Sequence, residues 1–262
     1  MKRSLLIFLT AVLALSCSVQ RDGWKLVWTE NFNGPAIDTT VWSRVKTGGS
    51  DWNDMMSQRK DLAYIENGEL VLLGKVNDGS SDETTPFVTA GLRSHGKKSF
   101  WMAKVEIRAK FNCANGFWPA LWMMPDAKVP APDYAEIDIM EHLRADAFVY
   151  QTVHSHYTLE IDKKSPHSAT APVNPDEWNV YGVEMYPDSL CLYTNGVKSF
   201  TYTRKEGVDY QFPWTNYPFA FILSNQLGGK WVGPVDKPEQ LPSELRVDWI
   251  KVYQRKKTAQ SR

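Results

Sequence analysis

Glu136–Glu141, which reads Glu-Ile-Asp-Ile-Met-Glu, alternates acidic and apolar residues as a β-strand does and then breaks that alternation by one residue. In a regular strand, successive side chains point to opposite faces, so Glu136 and Asp138 share one face while the two isoleucines point into a core. Strict alternation would then bury Glu141, which is costly for a carboxylate without a partner. A β-bulge at Met140 would absorb the extra residue. We therefore predict a bulged strand that turns all three carboxylates to one face.

The predicted bulge also sets the separation of the two glutamates. Glu136 and Glu141 become effectively four positions apart, or about 13 Å at a rise of about 3.3 Å per residue. If the two side chains lean toward each other, the remaining gap approaches the roughly 5–5.5 Å of a retaining glycosidase pair and falls short of the inverting spacing. The same acidic triplet is also compatible with a calcium-binding strand or a solvated polar face.

Three carboxylates on one face repel one another, so their proton affinities must differ. Asp138, in the middle, can form a hydrogen bond with Glu136 and hold it ionised and oriented. Glu141, at the end of the strand and nearer apolar walls, is the better candidate for a raised pKa and for the acid/base role.

Strand patterns also dominate the rest of the chain, and Asn195-Gly196 supplies the turn residues of a clear hairpin. No segment of 12 or more residues shows a helical period. The other predicted strands are Trp24 to Trp28, Glu69 to Lys75, Val88 to Arg93, Phe100 to Phe111, Phe148 to Tyr157, Trp178 to Tyr186, Ser189 to Tyr193, Phe200 to Arg204, Phe219 to Leu227 and Leu245 to Tyr253. The predicted loops are Pro125 to Asp133, Pro166 to Pro175 and Pro234 to Pro242. These patterns predict an all-β fold, a single antiparallel β-sandwich with long loops.

Composition narrows the possible partners. Aromatic residues make up 13% of the chain, with 11 tryptophans, which is more than a sandwich core needs and favours a surface for partly polar ligands. The formal net charge is zero, so the chain lacks the basic surface of a nucleic-acid binder. Cys113 and Cys191 could pair in an exported protein, but sequence leaves their distance open.

The N-terminus predicts export. Two basic residues precede the apolar run Leu5–Leu15, which is too short to span a membrane. Ala14–Cys17 resembles a bacterial lipoprotein cleavage box, in which Cys17 would carry the lipid. We therefore expect an export signal at residues 1–17, a catalytic domain at 18–262 and an outer-membrane lipoprotein whose only membrane contact is its anchor. Ordinary cleavage and a secreted product is the alternative.

Taken together, four segments carry a resemblance to a known family. Glu136–Glu141 is similar to the active-site signature of glycoside hydrolase family 16, in its bulged form. Gly116–Met123 resembles the Trp-Pro-Ala cleft strand of that family, Thr29–Gly34 its opening segment and Val247–Tyr253 its closing strand. The resemblance covers nearly the whole chain after the export signal.

This resemblance implies a fold and a reaction. The fold would be a concanavalin-like jelly roll with a concave glycan-binding cleft. The reaction would be hydrolysis of a glycan by double displacement, with Glu136 as nucleophile, Glu141 as acid/base and Asp138 as the assisting carboxylate. We expect a monomer that acts on an oligo- or polysaccharide and requires no cofactor.

Several other residues are candidates for glycan or metal binding. Trp118 and Trp122 are four positions apart on one predicted strand and hence share a face. His154 and His156 share a face of the strand after the catalytic one, where they could reach the sugar or Glu141. Further cleft candidates are Trp52, Ser224, Gln226 and Trp231. The family often carries a structural calcium ion, for which Glu30 and Asp248 occupy matching positions.

The substrate has to be inferred from the loops, because fold and catalytic residues are shared across substrates and specificity lies in loops. Ser50–Ser57 and His154–Thr158 differ from the corresponding segments of ordinary β-1,3-glucanases. Together with Leu227–Gly233, they resemble a Bacteroides-type branch that includes endo-β-galactosidases. Our leading hypothesis is an endo-β-1,4-galactosidase of poly-N-acetyllactosamine in mucin or keratan chains. Its rival is an endo-β-1,3(4)-glucanase. A non-catalytic, lectin-like glycan-binding protein is the alternative from another class.

Overall fold

The computed structural model describes residues 23–46, 48, 52–164 and 167–255, which form two antiparallel β-sheets packed face to face. The back sheet has the strand order Val197–Thr203 (β15), Ser189–Thr194 (β14), Asn179–Met185 (β13), Ala103–Phe111 (β8), Ser243–Arg255 (β17), Glu69–Val76 (β4) and Ala63–Glu66 (β3). In addition, Trp24–Glu30 (β1) pairs with β17, and Phe87–Val88 (β5) pairs with β4.

The second sheet, which we call the cleft sheet, carries the acidic strand near its centre. Its order is Ser168–Pro172 (β12), Phe148–Ser155 (β11), Ala135–Glu141 (β10), Phe117–Pro125 (β9), Phe219–Leu227 (β16), Gly91–Arg93 (β6) and Ser43–Arg44 (β2), with Ser99–Phe100 (β7) beside β16. The helical segments include three short 3₁₀ turns, Ala131–Asp133, Pro213–Thr215 and Pro238–Gln240, and one π-helix, Tyr157–Ile161. This all-β sandwich confirms the predicted fold class.

Side-chain alternation places the core between the sheets. Along β8, the residues from Ala103 to Phe111 are alternately buried and partly exposed, so its apolar face packs inward and its charged face looks outward. All of β16 is buried. Leu223 and Leu227 pack into the core, whereas Ser224 and Gln226, on the opposite face, line the cleft. The floor of the cleft is therefore the outer face of the cleft sheet, whose inner face packs into the core.

Two hairpin turns follow the predicted chemistry. Asn195 and Gly196, between β14 and β15, have φ angles of 51° and 77°. Asn67 and Gly68, between β3 and β4, have φ angles of 53° and 78°. Positive φ at both central residues is the type I′ geometry, which matches the twist of the two strands and which asparagine and glycine adopt most readily.

The structure corrects several sequence predictions. The predicted loop Pro166 to Pro175 contains β12, a strand at the sheet edge, where proline is tolerated because one side needs no hydrogen-bond donor. The strand predicted from Phe148 to Tyr157 ends at Ser155 and passes into the π-helix. The sequence left the pairing of Cys113 and Cys191 open, and in the structure both are free thiols.

Within the described ranges, no helix is long and apolar enough to cross a membrane. Residues 1–17, including Cys17, lie outside the described residues, so export and lipid anchoring stay predictions.

Candidate active site

The acidic strand β10 contains the predicted bulge. Toward β9, Asp138 pairs with Trp122 but Met140 pairs with Leu121, so the register shifts by one residue between them. The pairing of β10 with β11 shifts in the same interval. The bulge therefore comprises Ile139 together with Met140, whereas the sequence pattern placed it at Met140 alone. Both residues are buried in the core.

With the bulge in place, Glu136, Asp138 and Glu141 all line one cleft of about 740 Å³. The other residues that line it come from β9, β11, β16 and two loops: Gly48, Trp52, Trp118, Ala120, Trp122, Tyr134, Thr152, His154, Ser224, Gln226 and Trp231. Of the residues predicted to bind glycan, this set includes all except His156. Apart from His156, the predicted catalytic and glycan-binding residues thus lie together in one cleft.

A tyrosine holds the predicted nucleophile. The hydroxyl of Tyr134 donates a hydrogen bond to Oε2 of Glu136. Burial, and then the negative charge of Glu136, raise the pKa of Tyr134, so the phenol keeps its proton and remains a donor. Tyr134 was not among the predicted site residues, although its position two residues before Glu136 was the signal that both share a face.

The predicted acid/base is held by an indole. Nε1 of Trp118 donates to Oε1 of Glu141 at 2.9 Å. The same indole meets the ring of Trp231 edge to face, with centroids 5.0 Å apart. Trp118 was predicted to bind glycan, and the structure shows that it also donates a hydrogen bond to the predicted acid/base.

Asp138 is the most buried of the three carboxyl groups, with 3% of its surface exposed. Burial, followed by the negative charges of Glu141 and Glu136, raises its pKa well above the usual value. Asp138 also forms a hydrogen bond with Glu136. A protonated Asp138 would donate in that contact, which is the assisting role that the sequence predicted.

Of the two histidines that were predicted to lie in the cleft, only His154 lines it. His154 lies opposite Glu136 in the β10–β11 register, with its Nε2 3.3 Å from Oδ2 of Asp138. Burial, and to a smaller extent His167, lower the pKa of His154, so its imidazole is neutral at pH 7. His156 instead packs against Tyr210, at a centroid distance of 5.8 Å, because the chain leaves the strand after Ser155.

A second pair of aromatic residues, Trp52 and Trp122, also lines the cleft. Nε1 of Trp122 donates to Oγ of Ser224 at 3.1 Å, which fixes the indole against β16. The ring of Trp52 meets Trp122 edge to face at 6.5 Å and brings the early loop onto the cleft. Gln226 is buried and donates to the backbone oxygen of Gly228. Its role is therefore to shape the following loop as well as to line the cleft.

That loop presents Trp231 at the cleft edge, where 44% of its surface is exposed. Its base is closed by a hydrogen bond from the Gly233 amide to the Gly229 carbonyl. Gly229 has a φ of 151°, and a Cβ there would come 3.0 Å from Nε2 of Gln226, so the tight base favours glycine. Tyr150 supports the far side of Trp231 at a centroid distance of 5.0 Å.

The side chains proposed for calcium already have other partners. Glu30 accepts hydrogen bonds from the Phe32 amide and from Nε1 of Trp42, at 3.1 and 3.0 Å. Asp248 forms an ion pair with Arg108, whose positive charge lies where a cation would bind. The two carboxylates are thus a poor fit to a calcium ion, and calcium binding stays a prediction.

Comparison with known proteins agrees with this geometry. The family model described as "Glycosyl hydrolases family 16" matches residues 50–251. A keratan-sulfate endo-1,4-β-galactosidase of Sphingobacterium multivorum is 31% identical over 90% of this chain, but the match spans only 56% of that longer protein. A β-glucanase of Rhodothermus marinus is 30% identical, and the match covers 94% of this chain and 93% of the relative.

Solved structures share the fold. A non-specific endo-β-1,3(4)-glucanase superposes with a TM-score of 0.80 at 25% identity, covering 90% of this chain and 92% of that one.

Proposed function

The chain belongs to glycosyl hydrolases family 16 and is a glycoside hydrolase, and we propose that it is a retaining endo-β-1,4-galactosidase of poly-N-acetyllactosamine chains in mucin or keratan. The observation that carries the retaining mechanism is the bulged strand β10, which turns Glu136, Asp138 and Glu141 into one cleft. Two carboxylates on one strand, each held by its own donor, are the parts that double displacement needs.

In the first step, a carboxylate oxygen of Glu136 attacks the anomeric carbon while Glu141 gives its proton to the departing glycosidic oxygen. The carbon–oxygen bond to the leaving group breaks as the ester to Glu136 forms. In the second step, Glu141 takes a proton from a water molecule, and the resulting hydroxide breaks the ester. The product keeps the β-configuration, and both carboxyl groups return to their starting protonation states.

The neighbours of Glu136 suit this role. Tyr134 and a protonated Asp138 can both donate to its carboxylate, which keeps the charge on Glu136 and limits its rotation. A nucleophile held in one orientation loses less entropy in the transition state. Hydrogen-bond donors do this without adding a positive charge that would weaken the nucleophile.

The aromatic residues fit the binding of several sugar units. Trp118 and Trp231 lie next to Glu141, and Trp52 and Trp122 form a second group. The flat, partly polar rings of tryptophan match the apolar faces of sugars. Trp118 contacts Glu141 and Trp122 is the register partner of Asp138, so the two groups lie at different positions along the carboxylate strand. Two platforms at different positions support the binding of several units and cleavage within a chain.

The galactosidic substrate is supported by the keratan-sulfate-cleaving relative, at 31% identity over 90% of this chain. The early loop that carries Trp52 also differs in sequence from the corresponding loop of ordinary β-1,3-glucanases. The rival is an endo-β-1,3(4)-glucanase, which the β-glucanase relative favours because that match spans nearly both chains. Galactose differs from glucose by an axial 4-hydroxyl, so the cleft surface that meets this hydroxyl would discriminate the two.

The test is a parallel digestion of laminarin, barley β-glucan, agarose, keratan sulfate and mucin with the purified protein. We expect oligosaccharides from keratan or mucin, detected by mass spectrometry, with the newly formed reducing ends first in the β-configuration by NMR. Products from laminarin or barley glucan with none from keratan or mucin would replace the galactosidase by the glucanase. An initial α-product would contradict the retaining mechanism.

A further inference from the structure

Three side chains in the cleft bring possible metal ligands together from two neighbouring strands. The ligand atoms of Glu136, Asp138 and His154 all lie within 4.8 Å of one another. The strand register accounts for this, because Glu136 and His154 are directly opposite each other and Asp138 is the next residue on the same face of β10.

The buried oxygen of Asp138 is the second observation. Oδ2 accepts no hydrogen bond in the described structure, although only 3% of the Asp138 surface is exposed. Nε2 of His154 lies 3.3 Å from it. Two ligands of a tetrahedral zinc ion with bonds of about 2.0–2.1 Å are separated by about 3.3–3.4 Å. The nitrogen and the oxygen thus already have the spacing of one edge of such a site.

The charges at this position also favour a cation. Glu136, Asp138 and Glu141 all line the cleft, and no lysine or arginine is among the described residues that line it. Three carboxyl groups without a lysine or arginine beside them attract a divalent ion. A neutral imidazole is a good ligand for zinc, whereas calcium and magnesium prefer oxygen ligands alone.

We propose that Glu136, Asp138 and His154 form a binding site for Zn²⁺, and that this ion and the glycan exclude each other from the cleft. The ion would be held by two carboxylates and one imidazole, with the open side of the cleft left for water. The zinc site is argued from the arrangement of the three side chains and does not depend on the reaction that the cleft catalyses. The exclusion of glycan rests on the proposed function, because it requires that Glu136 is the nucleophile.

Calorimetric titration tests the site directly. The full-length protein is treated with EDTA, dialysed and titrated with zinc chloride, and we expect one bound ion per chain. Excess calcium chloride or magnesium chloride should not weaken the binding of zinc, since these ions prefer oxygen ligands alone. His154→Gln should weaken zinc binding at least tenfold. His156→Gln is the matched control, since that imidazole packs on Tyr210 outside the cluster, and it should change the affinity less than twofold.

Absence of saturable zinc binding to the folded wild-type protein would overturn the site, and so would an equal loss in the two histidine variants. If His154→Gln unfolds, Asp138→Asn replaces it, and an affinity equal to that of the wild type would also overturn the site. The competition is measured on whichever panel glycan is hydrolysed: zinc should raise KM and leave kcat unchanged. A fall in kcat at constant KM would overturn the exclusion. If no glycan is cleaved, the proposed function fails while calorimetry still decides the zinc site.

Discussion

The carboxylates on the outward faces of the two sheets differ in the charge of the side chains around them. On the back sheet, Arg246 forms ion pairs with Glu66, Glu69 and Glu244 at 2.9, 3.1 and 2.6 Å. Lys104 lies 3.3 Å from Glu184. On the cleft sheet, the side chains that contact the carboxylates include a phenol, an indole and an imidazole.

The difference appears in the proton affinities. Burial alone would raise the pKa of Glu184, but hydrogen bonds from Tyr186 and Tyr193 and the charge of Lys104 outweigh it and lower the pKa. Asp138, with carboxylates as its charged neighbours, has a raised pKa. Since phenols donate to Glu184 as well as to Glu136, the difference lies in the charged neighbours. Lys104 favours the ionised form of Glu184, whereas Glu136 and Glu141 favour the protonated form of Asp138.

The largest effect is expected from Glu136→Gln. Loss of the nucleophile should lower kcat on the order of 10³-fold or more, measured by the release of reducing ends. Glu184→Gln on the back sheet is the matched control and should leave kcat unchanged. Glycan binding by the Glu136 variant should persist, because the aromatic residues are intact. Unchanged hydrolysis would contradict the assigned role, and binding without turnover in the wild type would support the lectin alternative.

Tyr134→Phe removes the phenol that donates to Glu136. We expect kcat to fall roughly tenfold to a hundredfold with little change in KM, because a hydrogen bond to a charged group contributes about 1.5–3 kcal/mol. Tyr217→Phe is the control, since that phenol donates to Asp133 at 2.8 Å and lies outside the cleft lining. Equal kcat values in the two variants would show that Tyr134 does not assist the reaction.

The pH dependence of stability should differ between the sheets. Asp138 has a folded pKa above the ordinary 3.8, so its stabilising contribution is present below pH 3.8 and is lost as the pH rises through the folded pKa. Asp138→Asn should therefore raise Tm by several degrees at pH 8 and change it little at pH 4. Scanning calorimetry at the two pH values measures this.

Asp61 provides the opposite case. The hydrogen bond from Arg59 outweighs partial burial and lowers its pKa to about 2, so its contribution is present above pH 3.8 and is lost as the pH falls toward 2. Asp61→Asn should lower Tm at pH 7 and leave it nearly unchanged at pH 2. If both aspartate variants respond alike to pH, the contrast between the two environments is wrong.

The smallest effect is expected from Arg246→Met. Exposed ion pairs contribute about 0–1 kcal/mol each, so the loss of three should lower Tm by a few degrees at low salt. Added salt should shrink the difference, and kcat should not change. A large loss of activity would mean that the back sheet acts on the cleft through the core.

The local sequence pattern predicted much of the fold and the common orientation of the three carboxylates on β10. The alternation along β10 and the cost of burying Glu141 were enough to place the bulge within one residue. The strand β12 was missed because its proline-containing sequence is typical of loops, and only its pairing at the sheet edge makes it a strand.

The contacts between strands could not be predicted. The donor to Glu141 is Trp118 on β9, and the neighbour of Asp138 is His154 on β11, so both depend on register and side-chain rotamers. His156 was placed in the cleft by simple alternation, which the π-helix after Ser155 interrupts. Pairwise contacts of this kind are properties of the folded sheet.

Because of the bulge in β10, the face on which the carboxylates lie does not fix the number of residues between them. A strand one residue shorter, without Met140, would alternate regularly and still turn Glu136, Asp138 and the final glutamate to the same side. The reaction therefore requires that the carboxylates lie on the same face, but the spacing between them along the chain can differ by one residue. Two proteins with the same catalytic residues could therefore differ by a one-residue gap in the middle of their most characteristic motif. A sequence alignment that penalises this gap would fail to match the two motifs.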